Sequence, residues 1–127
     1  MIEVVAALIR GENRVLLCRR PDGKAQGGKW EFPGGKIEPG ETGEAALRRE
    51  CMEELDVALE VGRALADVCQ DYPGRSVHLT LYEARIASGE PRRLEHSDIR
   101  WIVPEELGEY DLCPADAQLI ARLKGQI

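Results

Sequence analysis

The chain has no apolar run of membrane-spanning length, no C-x-x-C pair, and too few basic residues to balance its acids. Its most apolar stretch, IEVVAALI at the start, falls well short of the roughly 20 residues a helix needs to cross a bilayer. That stretch also lacks the basic flank and cleavage site of a secretory signal, so no membrane partner and a cytoplasmic location are expected. The four cysteines, Cys18, Cys51, Cys69 and Cys113, sit singly, which disfavours a disulfide framework. Neither His78 nor His96 has metal-ligand spacing to any of them, which argues against zinc. Isolated cysteines in apolar runs are expected as buried thiols. With 17 basic against 23 acidic residues the net charge is −6, which disfavours a nucleic-acid polymer. One small phosphorylated ligand remains possible if a cation bridges the negative charges.

Repeats, linkers and low-complexity tracts are absent too. At 127 residues and 43% hydrophobic content the chain is expected to be one domain, residues 1–127, around a single core. Ile2–Ile9 reads as a mostly buried strand, and Val15–Cys18 as its hairpin partner across Gly11-Glu12-Asn13. Trp30-Glu31-Phe32 is a short alternating piece, stopped by Pro33-Gly34-Gly35. A helix is predicted from near Thr42 to Leu55, with Glu44 in its first turn. Strand patterns return at Val61–Cys69 and Ser76–Ile86 around a Pro73-Gly74 turn, and again at Ile99–Val103. Pro104–Leu107 suggests a helical turn, and Pro114–Lys124 a final helix with proline at its start. The sum is an α+β fold, a mixed sheet with helices on its faces.

The unusual stretch is the glycine-rich loop leading into the first helix, GGKWEFPGGKIEPGETGEAALRRECMEELDV. At 100° per residue, Glu50, Glu53 and Glu54 fall within an arc of about 100°. Leu47, Cys51 and Leu55 form an adjacent apolar stripe that should face the sheet. The acids therefore border the buried seam. Two unit charges about 6 Å apart repel by about 3 kcal/mol at an effective dielectric near 20. A divalent cation such as Mg²⁺ or Mn²⁺ would neutralise them and also take phosphate oxygens. A solvated acidic face is the alternative reading of E-x-x-E-E taken alone. The loop favours the cation: Gly34-Gly35 lets backbone approach a ligand closely, and Lys36 and Arg49 place positive charge beside the acids.

Gly35, Glu41, Arg49, Glu50, Cys51, Glu53, Glu54, Asp56 and Val57 together resemble the Nudix box, G-x5-E-x7-R-E-U-x-E-E-x-G-U, where U is bulky and aliphatic. Six defining polar or glycine positions match, roughly a one-in-ten-million coincidence per window at ordinary residue frequencies. Cys51 replaces an aliphatic residue and can still pack. Asp56 replaces the glycine that ends the helix in a left-handed conformation, which Asp tolerates at a cost of about 1 kcal/mol.

The resemblance extends along nearly the whole chain to the MutT branch, through KWEFPGGKIEPGE, Arg19-Arg20, Y-P-G-R at 72–75 and P-A-D at 114–116. It implies an αβα sandwich and a Mg²⁺-dependent conversion of a (d)NTP to the monophosphate and pyrophosphate. It implies metal ligation by the Gly34 carbonyl with Glu50, Glu53 and Glu54, and a further acid six residues before a Trp, here Glu95. Glu53 or Glu95 would take the proton of the attacking water. Arg20 would grip a phosphate, and Arg49 and Glu41 would hold the loop against the helix. Asp116 would read the base as a hydrogen-bond acceptor, with Arg75 beside it and Phe32 and His78 as further candidates. The start of the chain and P-A-D are similar to the bacterial CTP pyrophosphohydrolase subgroup, and P-A-D also occurs among 8-oxo-dGTP cleansers. Hydrolysis of another nucleoside diphosphate derivative, or nucleotide sensing without cleavage, are the competing expectations.

Overall fold

The computed structural model describes residues 1–127. Strand β1 (Ile2–Gly11) is the hub: it pairs in parallel with β6 (Arg75–Ser88), and antiparallel with β2 (Arg14–Arg19) and with β4 (Gly34–Lys36). Strand β2 adds β3 (Trp30–Glu31) and β7 (Asp98–Ile102), and β6 adds β5 (Ala58–Tyr72) in a long antiparallel pair. The result is one mixed seven-stranded sheet.

Because β1 lies between strands, both of its faces are covered, which is why its sequence is apolar at almost every position. Val5, Ala7 and Ile9 join Leu16 and Cys18 under helix α1 (Gly43–Leu55). Ala6 and Leu8 turn the other way, with Val15 and Leu17, toward helix α2 (Pro114–Arg122). Period-two alternation along β1 and β2 thus builds two cores, one per face. The expected αβα layering is present, with two apolar clusters in place of the single core expected.

Most expected elements appear with shifted ends. Helix α1 begins at Gly43, with the Thr42 hydroxyl capping it by accepting from Ala45 N at 3.1 Å. It ends at Asp56, whose φ of 57° is the left-handed conformation expected there. The helical turn is a 3₁₀ segment, Pro104–Glu109, and α2 stops at Arg122, two residues before the expected Lys124. Gly34–Lys36, expected as a stop and a turn, is a short strand on β1. Its backbone sits so close that a Cβ on Gly34 would collide with the Val5 carbonyl. Cys18, Cys51 and Cys113 are buried thiols, but Cys69 is exposed on the edge strand β5, whose outward side chains meet water.

Candidate active site

The box residues converge at the β4–α1 junction. The Arg49 guanidinium donates two hydrogen bonds to Glu41, from Nε to Oε2 at 2.7 Å and from Nη2 to Oε1 at 2.9 Å. It also donates to the Lys36 carbonyl at 3.0 Å, Glu50 Oε1 at 3.2 Å and Glu53 Oε2 at 3.4 Å. Glu41 Oε1 in turn accepts from Glu38 N at 2.9 Å. One planar fork therefore ties loop, strand and helix together. The Arg49 hydrogen bonds hold the Glu41 carboxyl down at about 2, and Glu41 in turn raises Arg49. Gly35 has a packing reason: a Cβ there would collide with the Glu50 carboxylate.

The three helix acids are graded in burial. Glu53 has a half-exposed side chain, Glu50 is largely covered, and Glu54 is buried at 7% exposure. Burial, then the charges of Glu31, Glu50 and Glu95, push the Glu54 carboxyl up to about 9. Burial is also the largest influence raising Glu50, opposed by Arg49. Glu54 Oε1 is buried without a hydrogen-bond partner. A hard divalent cation would displace the proton that so raised a carboxyl group holds and would satisfy its buried oxygen, so Glu54, with Glu50 and Glu53 on the same stretch of helix, fits such an ion.

Two cavities meet here, sharing Arg20, Glu31 and Gly34 as common wall. The smaller, of about 120 Å³, is lined by Glu54, Glu95, His96 and Lys24, and brings Gly34, Glu54 and Glu95 together. Glu95 is exposed at its rim. The larger, of about 250 Å³, takes in Phe32, Lys36, Arg75, Cys113 and Asp116 over an apolar floor that includes Val77 and Leu79. Arg20 donates to the Ala25 carbonyl at 2.7 Å and to Glu31 at 3.1 Å, so it stands braced at the junction. Arg75 lies over the Tyr72 ring at 5.6 Å. His78 is not part of either cavity: its two nitrogens contact Glu3 and Asp67, each at 2.7 Å.

Asp116 lines the larger cavity. It is buried in the first turn of α2, and its Oδ1 accepts from Phe32 N at 3.0 Å. Burial and then the Glu31 charge push its carboxyl up to about 8. A carboxyl group raised this far can hold a proton near neutral pH and then offers an O–H donor beside an acceptor; ionised, it only accepts. Ligand atoms of Glu31, Cys113 and Asp116 lie within 4.8 Å of one another. With Arg20 on Glu31, that trio suits a hydrogen-bonding ligand better than a cation.

Two residues of this site carried no role in the sequence reading. Glu31 sits between two aromatic residues in a strand-like triplet, an expensive place for a charge and the one available signal. His96 followed Glu95 with nothing in its spacing to mark it. Its ring is 8% exposed, with Nε2 at 3.3 Å from Glu31 Oε2 and 3.5 Å from Glu54 Oε1.

Comparison with known proteins finds relatives along nearly the whole chain. The NUDIX domain family matches residues 1–123. The CTP pyrophosphohydrolase of Escherichia coli is 42% identical over 120 residues, covering 94% of this chain and 89% of that protein. The 8-oxo-dGTP diphosphatase of the same organism is 32% identical over 124 residues, covering 97% and 96%. A MutT NUDIX hydrolase crystal structure from Burkholderia pseudomallei superimposes with a TM-score of 0.87 at 30% identity, over 97% of this chain and 98% of that one.

Proposed function

The chain belongs to the Nudix family, and from that premise we propose that residues 1–127 act as one unit, a Mg²⁺-dependent nucleoside-triphosphate pyrophosphohydrolase releasing a nucleoside monophosphate and pyrophosphate. Mn²⁺ would serve in place of Mg²⁺. The observation that carries the reading is the buried, unsatisfied oxygen of Glu54, a residue that lines a small cavity sharing three wall residues with a second, partly apolar one, while Glu50 and Glu53 lie outside both cavities on the same helix. Glu50, Glu53, Glu54, Glu95 and the Gly34 carbonyl are the groups that would hold the cation. Bound there, it supplies charge neutralisation for the triphosphate and activation of water.

The protein's own groups do the rest. Arg49 and Glu41 keep the β4–α1 loop and Glu50 in place, so the acids need not reorganise when substrate arrives. Arg20 and Lys36 offer positive charge to phosphate oxygens between the cavities. Glu53 or Glu95, both exposed to water, accepts the proton of the attacking water. Phe32, Arg75 and Asp116 receive the base.

The protonated Asp116 presents a donor next to an acceptor, which complements N3 and the N4 amine of cytosine. With a 42%-identical relative named for CTP, this makes CTP, dCTP or a 5-modified dCTP the first choice of substrate. The O6 and N1–H edge of 8-oxoguanine fits the same pair, so 8-oxo-dGTP is the second reading. The test is incubation with Mg²⁺ and these nucleotides, resolving products by ion-exchange chromatography. Monophosphate and pyrophosphate in equal amounts are expected. Orthophosphate release, or no cleavage of any nucleotide, would overturn the proposal.

A further inference from the structure

His96 joins the two halves of this site. The segment that carries it, between β6 and β7, is pinned on both sides by backbone hydrogen bonds. Arg92 N donates to Leu55 O at 2.8 Å and Leu94 N to Glu54 O at 3.3 Å, at the end of α1; Ser97 N donates to Arg19 O at 3.0 Å, on β2. The ring is thereby fixed between the helix that bears the acids and the strands that bear the base cavity. Its Nε2 lies 3.3 Å from Glu31 Oε2 and 3.5 Å from Glu54 Oε1, while Nδ1 is buried without a partner.

The hydrogen-bond partner of Nε2 is a Glu31 oxygen, which as an acceptor places the hydrogen on that nitrogen. The bond to Glu31 is formed. Glu54 Oε1 lies 3.5 Å from the same nitrogen without a hydrogen bond, so that oxygen packs against the ring with its bonding capacity open. Leaving Nδ1 unpaired in a buried position costs stability, and a purely apolar ring would pack there without that cost.

We propose that His96 is a positioning residue: its Nε2–H fixes Glu31 beside the nucleotide cavity, and its ring, packed 3.5 Å from Glu54 Oε1, restricts where that oxygen sits for cation capture. This rests on the cation reading of the α1 acids given above. A buried ring packed against a carboxyl group and anchored by its own hydrogen bond to a neighbour limits that group's rotamers, as buried supports of metal ligands do elsewhere.

The test compares wild type, His96→Phe and His96→Gln. Phe keeps a ring and removes both nitrogens; Gln restores an N–H near the Nε2 position. Mn²⁺ affinity of the nucleotide-free protein is read by electron paramagnetic resonance, beside kcat, KM for CTP and the thermal midpoint. His96→Phe should weaken Mn²⁺ binding about 10- to 100-fold and raise KM, with His96→Gln recovering Mn²⁺ affinity to within about threefold of wild type. Unchanged Mn²⁺ affinity in a folded His96→Phe protein overturns the proposal, whatever the thermal midpoint does. A His96→Gln protein that folds but binds Mn²⁺ as poorly as His96→Phe would also overturn it. If wild type itself takes up no Mn²⁺, the cation reading of α1 falls, and this inference with it.

Discussion

At the residue scale, chemistry at this site depends on burial more than on residue type. Asp116 shows it: a side chain that accepts hydrogen bonds when ionised becomes a donor once α2 and β3 close over it. Its proton should leave as pH passes about 8, taking away the donor that faces N3 of cytosine. We expect kcat/KM for CTP to fall above that pH more steeply than for 8-oxo-dGTP, whose adjacent N–H groups suit an ionised carboxylate. Asp116→Asn, which keeps a donor beside an acceptor at every pH, should flatten the CTP-to-8-oxo-dGTP ratio; a ratio that stays pH-dependent in that variant would assign the effect elsewhere. Glu53 is the contrasting case, exposed and touching Arg49 at 3.4 Å. Glu53→Gln should lower kcat by about 10²- to 10⁴-fold if that carboxylate moves the proton. It should change the urea midpoint little, because an exposed pair of this kind contributes about 0–1 kcal/mol. Full activity would remove Glu53 from the site. Asp116, Glu50, Glu53 and Glu54 were all legible in the sequence as candidates. The raised pKa of Glu54 and Asp116 was not, because it depends on Glu31 and on closure of the fold around them.

At the element scale, local chemistry was a good guide where an element is self-contained. Thr42 and Asp56 bracket α1 as capping and left-handed propensity require, and the stripe of Leu47, Cys51 and Leu55 faces the sheet. It failed where an element exists only by partnership. Gly34–Lys36 has no strand propensity of its own and is a strand because β1 offers it hydrogen bonds. His78 is another product of partnership: β6 holds it, β1 supplies Glu3 and β5 supplies Asp67. With a carboxylate 2.7 Å from each nitrogen, the ring needs both protons to donate twice, and these two bonds raise its pKa above the ordinary value. A folded-state pKa above the unfolded one stabilises the protein fully below the unfolded value of about 6.5, and the gain is lost as pH rises through the folded value. The His78 ring should therefore titrate above an ordinary histidine by NMR. The stability difference between wild type and His78→Gln should shrink as pH rises through that titration. A normal His78 titration would show that the clasp is absent in solution.

At the scale of the whole molecule, two apolar cores and one mixed sheet hold together a chain whose charge is −6. The overall layering could be anticipated because an unbroken apolar strand such as β1 demands cover on both faces. The meeting of two cavities at Arg20, Glu31 and Gly34 could not, since it requires β2, β3, β4 and the segment before β7 to converge from distant positions. That convergence gathers Glu31, Glu54 and Glu95 around one small space, with Glu50 close to Glu54 beside it, and the repulsion of these acids on Glu54 opposes folding in the absence of a cation. An ion bound only by the native state stabilises by mass action, about 2.7 kcal/mol at a concentration 100 times its Kd. Mg²⁺ should therefore raise the thermal midpoint by several degrees, with Ca²⁺ and Na⁺ at matched ionic strength separating site binding from screening. Combining Glu50→Gln, Glu53→Gln and Glu54→Gln should do two things together: raise the midpoint in chelator, by relieving the repulsion, and abolish the response to Mg²⁺. A triple variant that is less stable in chelator than wild type would mean that Arg49 and the surrounding hydrogen bonds already offset the repulsion, leaving no electrostatic need for a cation between α1 and the β4 loop.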